Sequence, residues 1–238
     1  MWRDVNGIKV AVDQLFQIYV NGNLEATLVA SPSDLDELAL GFLYAEGYIE
    51  GLDDVLELEV SGRRIRARIR GDAKSTGRLL EECGGIEGER RWALVEAKVD
   101  MEKLRSLVSE FGKFTMPSVE PSLAMHTSAL LNGEWIIAHD VSRHSSMLKL
   151  VGKALKAGRR GGIAFTTGRA SSDLVERAAA AGASIVVSIR GPLYSGVEAA
   201  CRLGVTLVAN VRGRGLLPLC NPWRVEGPMH GGWVNSEK

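Results

Sequence analysis

In the first half of the chain, apolar and polar residues alternate with a period of two in short runs, which predicts a small antiparallel sheet. Residues 12–20 and 24–30 are such runs, and the Asn21-Gly22 pair between them is typical of a tight hairpin turn. From about Ser33 the apolar spacing becomes that of an amphipathic helix, and Ser33 is a suitable capping residue. The chain is therefore expected to begin with a hairpin followed by a helix.

A second hairpin is predicted from residues 55–60 and 63–70, with Ser61-Gly62 as its turn. In that register Glu59 faces Arg64, so one face of the hairpin is ion-paired while the other is apolar. The arginines of this hairpin are interpreted as a solvated sheet face.

The pattern then breaks at residues 71–92, where glycines and charges predict a loop. A short strand is expected over 93–98 and an amphipathic helix over 101–111, followed by a proline-containing linker over 112–122. We place a domain boundary in this linker, with a smaller N-terminal α+β domain at 1–120 and a second domain at 121–238.

The second half alternates between apolar strands and capped helices after a hairpin with Asn132-Gly133 at its turn. The expected helices are 145–157, 171–181 and 195–203, and the expected strands are 162–166, 184–189 and 205–211. Strands that are apolar throughout are typical of a partly parallel sheet covered on both faces. The predicted fold class is α/β in this half and α+β overall, with a mixed sheet.

The overall composition argues against nucleic acid and membrane surfaces as partners. The 238 residues contain 29 Lys and Arg against 29 Asp and Glu, so no global charge attracts nucleic acid or a membrane surface. No apolar run is long enough to span a bilayer, and the N-terminus lacks a signal-peptide pattern, so we expect a cytoplasmic protein. The three cysteines lie far apart without metal-ligand spacing, which predicts reduced thiols and no metal site.

Arginine stands beside glycine after three successive core strands. Thr167-Gly168-Arg169 follows the first, Arg190-Gly191 the second, and Arg212-Gly213-Arg214-Gly215 the third. Ligands of open α/β sheets bind outside the carboxyl ends of the strands, and guanidinium groups match phosphate oxygens. Glycines let backbone N–H groups approach the same anion, and the helix that begins near Ser171 adds a favourable dipole. The sequence therefore predicts a phosphate-binding crevice, although it contains no Walker A or G-x-G-x-x-G motif.

The turn between a strand and a helix start carries further polar side chains. Asp140 could accept hydrogen bonds from a ligand, Arg143 could meet a phosphate, and His144 could transfer a proton. The alternative is a polar capping turn. His126 precedes a strand and, taken alone, fits a structural role as well as a binding role.

Cys83 lies in a glycine-flanked polar segment, whereas Cys201 lies in an apolar helix and is expected to be buried. An accessible thiol can act as a nucleophile or carry sulfur, and it does so as the thiolate. Neighbouring glutamates such as Glu81 and Glu82 disfavour the thiolate, unless nearby arginines offset them in the fold.

Together these motifs resemble the FdhD family, the formate dehydrogenase accessory sulfurtransferases. The resemblance covers most of the chain, and the order and spacing of its short motifs make it specific. The matching segments are 19–22, 31–34, 37–43 and 46–47 in the first half, and His126, 140–144 with Lys149, 167–171 and 206–209 with the arginine-glycine loop in the second.

The resemblance implies a sulfur carrier that takes persulfide sulfur from a cysteine desulfurase. The sulfur passes to the molybdenum cofactor, bis-molybdopterin guanine dinucleotide, before its insertion into formate dehydrogenase or a related molybdoenzyme. It also implies a cytidine-deaminase-like three-layer fold for the second half, with GDP as a mimic of the ligand, and it allows for a homodimer. The residues that it places at the cofactor are Asn210, Val211, Arg212, Gly213, Arg214 and Gly215, and it places Cys83 at the sulfur step.

The chain departs from the family pattern at informative positions. The loop motif C-x-x-C has Cys83 at its first position and Ile86 at its second, and the serine of S-G-R is replaced by Thr167. The zinc signature of the deaminases is missing. A second hypothesis is therefore a binding module that shelters the cofactor without sulfur chemistry. A third is a nucleotide hydrolase that uses Asp140 and His144.

Overall fold

The computed structural model describes residues 1–71 and 92–227. Its strands are β1 (Trp2–Val5), β2 (Ile8–Ala11), β3 (Gln14–Val20), β4 (Asn23–Ala30), β5 (Val55–Ser61), β6 (Arg64–Ile69), β7 (Val99–Asp100), β8 (His126–Asn132), β9 (Glu134–Asp140), β10 (Ile163–Thr166), β11 (Ile185–Ser188), β12 (Thr206–Val211), β13 (Gly215–Cys220) and β14 (Val225–Glu226). Its α-helices are α1 (Leu35–Ala45), α2 (Met101–Phe114), α3 (Met116–Val119), α4 (Arg143–Lys156), α5 (Ser172–Ala180) and α6 (Tyr194–Leu203).

A four-stranded sheet of order β4-β3-β6-β5 forms most of the first half. Both predicted hairpins are present, but the second turns at Gly62-Arg63, so Glu59 faces Arg66 instead of Arg64. Gly62 has a φ of 59°, and it occupies the first turn position, where a two-residue hairpin of type II′ takes glycine. The register shift is two residues, so the apolar and charged faces stay as predicted.

Three local expectations for the first half are corrected. Asp34, not Ser33, precedes α1, and its side chain makes no capping hydrogen bond. Where a strand was expected over 93–98, Val95 makes a single bridge to Ala183. The expected linker at 112–122 contains the end of α2 and the short helix α3.

A six-stranded sheet of order β13-β12-β11-β10-β8-β9 forms the second half. Strands β10, β11 and β12 are parallel, whereas β8 and β13 run antiparallel to their neighbours, which confirms the mixed sheet. The periodicity did not predict β13. It contains Pro218, and a strand with proline is tolerated at a sheet edge because one side needs no N–H donors.

The six-stranded sheet is covered on both faces, which confirms the three-layer arrangement. On one face, α4, α5 and α6 bury residues such as Leu148, Leu174 and Ala200 against the strands. On the other face, α2 packs Leu104 and Phe111 against the sheet. Helix α2 precedes the predicted boundary at 120 in the chain, yet its apolar face is buried against the sheet of the second half.

The two halves meet where α1 crosses α4. A β-carbon on Gly41 would overlap the Leu148 carbonyl oxygen, and a β-carbon on Gly152 would overlap the Glu37 carbonyl oxygen. The two helix backbones are therefore in direct contact, and one hydrophobic cluster runs from the four-stranded sheet through this crossing to the six-stranded sheet. Among the described residues, no helix has the length and apolar character needed to cross a membrane.

The cysteine expectations are also corrected. Cys201 is exposed at the end of α6, and it forms a disulfide with Cys220 at the end of β13. The sequence could not indicate this pairing because 19 positions separate the two residues and β13 itself was not predicted. The disulfide ties the edge strand β13 to the helix layer.

The helix crossing generates a first prediction. Gly152→Ala should lower the free energy of unfolding by about 1–3 kcal/mol, because the new methyl group forces the two backbones apart. Gly112→Ala is the matched control, since Gly112 lies inside α2 with open space around it. There the substitution should stabilise the protein by roughly 0.5–1 kcal/mol. Denaturant unfolding of both variants measures the difference, and equal effects would contradict the close crossing.

The disulfide generates a second prediction. Reductant should lower the free energy of unfolding by up to about 3 kcal/mol, because opening the loop restores conformational freedom to the unfolded chain. Cys201→Ser combined with Cys220→Ser should show the lower stability with or without reductant. Thermal unfolding under both conditions tests this, and a wild-type protein indifferent to reductant would contradict the pairing.

Candidate functional site

Strand register brings the arginine-bearing loops to one edge of the six-stranded sheet. Thr166 at the end of β10 pairs with Ser188 at the end of β11, and Ser188 pairs with Ala209 near the end of β12. Ser128 of β8 pairs with Thr166, and His126 pairs with Asp140 at the end of β9. We call this place the carboxyl-end edge, and its loops and strand ends carry His126, Arg143, His144, Thr167, Arg169, Arg190, Asn210, Arg212 and Arg214.

Hydroxyl groups at the strand ends hold these loops in place. Ser188 Oγ lies 2.7 Å from the Gly168 carbonyl oxygen and accepts a hydrogen bond from the Arg190 backbone N–H at 3.2 Å. Thr166 Oγ1 accepts a hydrogen bond from the Gly168 backbone N–H at 3.0 Å. The sequence reasoning missed Ser188 and Thr166. A hydroxyl residue as the last member of an otherwise apolar strand was the signal that could have identified them.

The Thr167 hydroxyl makes hydrogen-bonding contacts within the protein. It accepts a hydrogen bond from the Thr127 backbone N–H at 2.9 Å, and His126 Nδ1 lies 3.2 Å from it. Gly168, the next residue, is small for a steric reason, because a β-carbon there would lie 2.9 Å from the Arg143 β-carbon. The Thr167-Gly168 pair therefore orients His126 and makes room for the Arg143 side chain.

Four of the five arginines at the edge share an electrostatic property. Within residues 1–71 and 92–227, no ion pair involves Arg169, Arg190, Arg212 or Arg214, and all four residues are exposed. By contrast, the buried Arg177 lies 3.1 Å from an Asp173 carboxylate oxygen. The positive charge at the edge is thus not neutralised by carboxylates of the described chain.

Arg212 and Arg214 project from the tip of the β12-β13 hairpin. The Arg214 backbone N–H donates to the Val211 carbonyl oxygen at 2.8 Å, and Gly213 between the arginines has a φ of 77°. This left-handed conformation suits glycine, and it lets the loop turn tightly. Asn210 is exposed beside the hairpin, and its amide donates to the Ile189 carbonyl oxygen at 3.4 Å.

The pKa of His126 depends on its burial and on the charged groups around it. Burial lowers the pKa of His126 below its ordinary value, and the positive charges of Arg143, Arg190 and His144 lower it further, against a smaller opposing effect of Asp140. His126 is therefore neutral at neutral pH. Arg143 and His144 belong to α4 and Arg190 follows β11, so the start of α4 and the loop after β11 both lie close to His126.

Asp140 requires a correction. It was expected to accept hydrogen bonds from a ligand, but its side chain is fully buried and lies 2.5 Å from the Lys149 ammonium group, which is also buried. The carboxylate further accepts hydrogen bonds from the Ser31 backbone and hydroxyl groups and from the Ser142 backbone N–H. Asp140 therefore anchors the segment around Ser31 to the turn before α4.

The helix dipole expectation at Ser171 is corrected as well. Helix α5 begins after Ser171, and its first turn already holds the negative charge of Asp173. This carboxylate accepts a 2.5 Å hydrogen bond from the Ser171 hydroxyl, and His144 Nε2 lies 3.0 Å from its second oxygen. Burial alone would raise the pKa of Asp173, but His144, Arg177 and Ser171 outweigh it and hold the pKa below its ordinary value. The sequence reasoning missed Asp173, which an acidic residue in the first turn after a serine cap could have indicated.

Cys83 lies outside the described residues, and only the chain on either side of its segment is described. The Gly71 carbonyl oxygen accepts a hydrogen bond from the Asn21 side chain at 3.0 Å. The Trp92 ring packs on the Tyr44 ring, with centroids 5.5 Å apart. Shortly after, Val95 pairs with the residues that precede β11, so this part of the chain lies near the amino ends of the parallel strands.

Comparison with known proteins gives a consistent set of relatives. The family model described as FdhD/NarQ matches residues 11–226. Proteins named sulfur carrier protein FdhD are 30% identical in Methanothermobacter thermautotrophicus, with 91% of each chain covered, and 32% identical in Sulfolobus acidocaldarius, with the same coverage. A crystal structure from Desulfotalea psychrophila, described as a formate dehydrogenase accessory protein, superimposes with a TM-score of 0.71 at 26% identity over 92% of this chain and 91% of that one.

The family match includes the four-stranded sheet, the helix crossing and the whole carboxyl-end edge. Sequence, fold and relatives agree, and the chain belongs to the FdhD/NarQ family.

Proposed function

We propose that this chain is a sulfurtransferase that carries sulfur to a molybdenum cofactor. In this proposal bis-molybdopterin guanine dinucleotide binds at the carboxyl-end edge, and Cys83 brings persulfide sulfur from a cysteine desulfurase. The loaded cofactor then enters formate dehydrogenase or a related molybdoenzyme. The chain's relatives include sulfur carrier proteins and a formate dehydrogenase accessory protein, which supports the general role.

The observation that carries the cofactor site is the uncompensated charge of Arg169, Arg190, Arg212 and Arg214. An exposed arginine without a carboxylate partner keeps its donors available, and its planar fork suits the oxygens of a pyrophosphate. Because the loops meet at one edge, several guanidinium groups can contact one dinucleotide. An anion there also offsets the mutual repulsion of the arginines.

The proposed sulfur step uses the thiolate of Cys83 as a nucleophile. It attacks the outer sulfur of the desulfurase persulfide, forms a new S–S bond and displaces the desulfurase thiolate. The S–S bond of the Cys83 persulfide would then break, with Cys83 leaving as the thiolate. The outer sulfur would become sulfide on the cofactor that is the substrate, and the two electrons for its reduction would come from the reduced metal centre that receives it. Trp92, near the amino ends of the parallel strands, follows Cys83 by nine positions, and a chain of that length spans at most about 30 Å. This span exceeds the length of the short parallel strands, so it is long enough for Cys83 to reach the carboxyl-end edge.

A second candidate function is a cofactor-binding chaperone without sulfur transfer. It is favoured by Ile86, which replaces the second cysteine of the family's C-x-x-C motif, because Cys83 then lacks a neighbouring thiol in that motif. Both functions need the same cofactor site, so only an experiment on Cys83 separates them.

The cofactor site generates a third prediction. Arg212→Ala combined with Arg214→Ala should weaken GDP binding by about 10- to 100-fold, because two charge-assisted contacts are lost. Isothermal titration calorimetry with the full chain at constant salt measures the affinity.

The matched control is Arg63→Ala combined with Arg64→Ala. These arginines are also exposed at a hairpin turn, but they lie in the four-stranded sheet. The control removes the same net charge and should change the affinity less than about threefold, since distant surface charges are screened. Equal losses in both double variants would show that GDP responds only to overall charge and would remove the proposed site.

The sulfur step generates a fourth prediction. After incubation with a cysteine desulfurase and cysteine, intact-mass spectrometry should detect one added sulfur atom on the wild-type chain and none on Cys83→Ser. Cys201→Ser with Cys220→Ser is the control, and it should load sulfur normally because these residues are paired in the disulfide.

Maturation of the target enzyme distinguishes the two candidate functions. A host that depends on this chain should produce inactive formate dehydrogenase when it carries Cys83→Ala. Full enzyme activity with that variant would instead favour the chaperone.

A further inference from the structure

A chain of buried charges leads away from the carboxyl-end edge and has no role in the function proposed above. His144, at the start of α4, is partly exposed, and its Nε2 atom lies 3.0 Å from Asp173 Oδ2. Asp173 contacts the Arg177 guanidinium at 3.1 Å, and another nitrogen of Arg177 lies 3.9 Å from a Glu46 carboxylate oxygen. Asp173, Arg177 and Glu46 have side chains at most 8% exposed.

We propose that Asp173 is a positioning residue that holds His144 by its Nε2 atom and leaves Nδ1 as the nitrogen that serves the bound phosphate. The imidazole takes up one proton from solvent on Nδ1, and Nδ1–H donates a hydrogen bond to a phosphate oxygen. Ligand binding is then coupled to the uptake of one proton. This inference rests on the proposed cofactor site, and it adds a protonation requirement and a residue that fixes it.

Asp173 is suited to this task because its own position is fixed. One carboxylate oxygen accepts the Ser171 hydroxyl hydrogen bond, and the other lies between Arg177 and His144. The His144 Nε2 atom is close to Asp173 Oδ2 without the geometry of a straight hydrogen bond to it. The contact therefore depends on the charge of the carboxylate. The depressed pKa of Asp173 means that this charge is present throughout the neutral range.

The other charged groups around His144 differ from it in how their protonation depends on pH. Arg143 on the same helix, Arg177 of α5 and Arg190 after β11 stay protonated at every relevant pH. Asp140 of β9 is buried against Lys149. The remaining titrating neighbour is His126 of β8, whose lowered pKa moves its protonation to more acidic pH. Of these two histidines it is His144 that contacts Asp173, so the proposal assigns the proton to His144, and the variants below test that assignment.

The test uses GDP-mannose, in which the pyrophosphate is a diester and loses no proton near neutral pH. Calorimetric titrations of the full-length protein from about pH 5.5 to about pH 8.5 cover the range in which histidine changes charge. Repeating each titration in buffers of different ionisation enthalpy counts the protons taken up. The wild-type protein should bind more tightly as pH falls and take up close to one proton per ligand on the alkaline side of the transition.

Three variants locate the proton. Asp173→Asn should move the midpoint of the affinity–pH curve to lower pH and weaken binding at neutral pH by about tenfold, since the carboxylate charge is lost. His144→Gln should remove this transition, and His126→Gln should keep its midpoint. Asp53→Asn is the charge-matched control, because Asp53 is exposed beside the four-stranded sheet, and its curve should follow the wild type.

The outcomes separate this inference from the proposed function. If the wild-type protein binds GDP-mannose but Asp173→Asn leaves the curve unchanged, the positioning role is wrong while the cofactor site stands. If the wild-type protein does not bind, both fail. Asp173→Asn also removes the nearer of the two carboxylates beside Arg177, so Asp173→Glu provides a second measurement that keeps the charge. It should restore the wild-type midpoint, and a midpoint like that of Asp173→Asn would overturn the inference.

Discussion

The parallel hydrogen bonding of β10, β11 and β12 determines where the charged loops of this protein lie. Because Thr166, Ser188 and Ala209 are in register, the loops that follow them leave the sheet at the same level. Hydroxyl groups at the strand ends then bind the loop backbones, as Ser188 does for Gly168 and Arg190. If one of these strands were displaced along its neighbour, the arginine in the loop after it would leave the edge, so the proposed cofactor site depends on this register.

The attachment of the two halves depends on a different set of contacts. At the α1–α4 crossing, glycines allow backbone contact, and the Asp140–Lys149 ion pair is buried beside Ser31. Removing two charges from water is costly, and their mutual attraction with additional hydrogen bonds offsets that cost only in a fixed geometry. The Ser31 segment, α4 and the turn after β9 are thereby held in one arrangement. That turn leads to Arg143 and His144, so the contacts that join the halves also set the position of two site residues.

The distribution of charge explains how a chain with no net charge can present an anion site. The buried Arg177 and Arg224 are matched with carboxylates, Arg177 with the buried Asp173 and Arg224 with the exposed Glu96. At the carboxyl-end edge, Arg169, Arg190, Arg212 and Arg214 have no carboxylate partner among the described residues. The local field there is positive because the nearby carboxylates of Asp140 and Asp173 are already matched with Lys149 and Arg177. Burial first, and then this field, lower the pKa of His126.

Local patterns in the sequence were sufficient to predict the helices and core strands of the second half, because apolar periodicity and capping residues act over a few positions. The arginine-glycine motifs could be assigned to one edge for a related reason, since parallel strands place their carboxyl ends together whatever their side chains are. The edge strand β13, with Pro218 in it, lacked such a pattern, and the turn at Gly62-Arg63 was decided by the backbone conformation of one glycine.

The tertiary structure alone decided the contacts between residues that are distant in the chain. Asp140 is a candidate ligand residue when the sequence is considered alone, and only the proximity of Ser31 and Lys149 makes it a buried anchor. The disulfide between Cys201 and Cys220 and the contact between His144 and Asp173 likewise join separate elements. The physical reason is that hydrogen bonds, ion pairs and disulfides act over a few ångströms in space, whereas the spacing of residues along the chain specifies only their nearest neighbours.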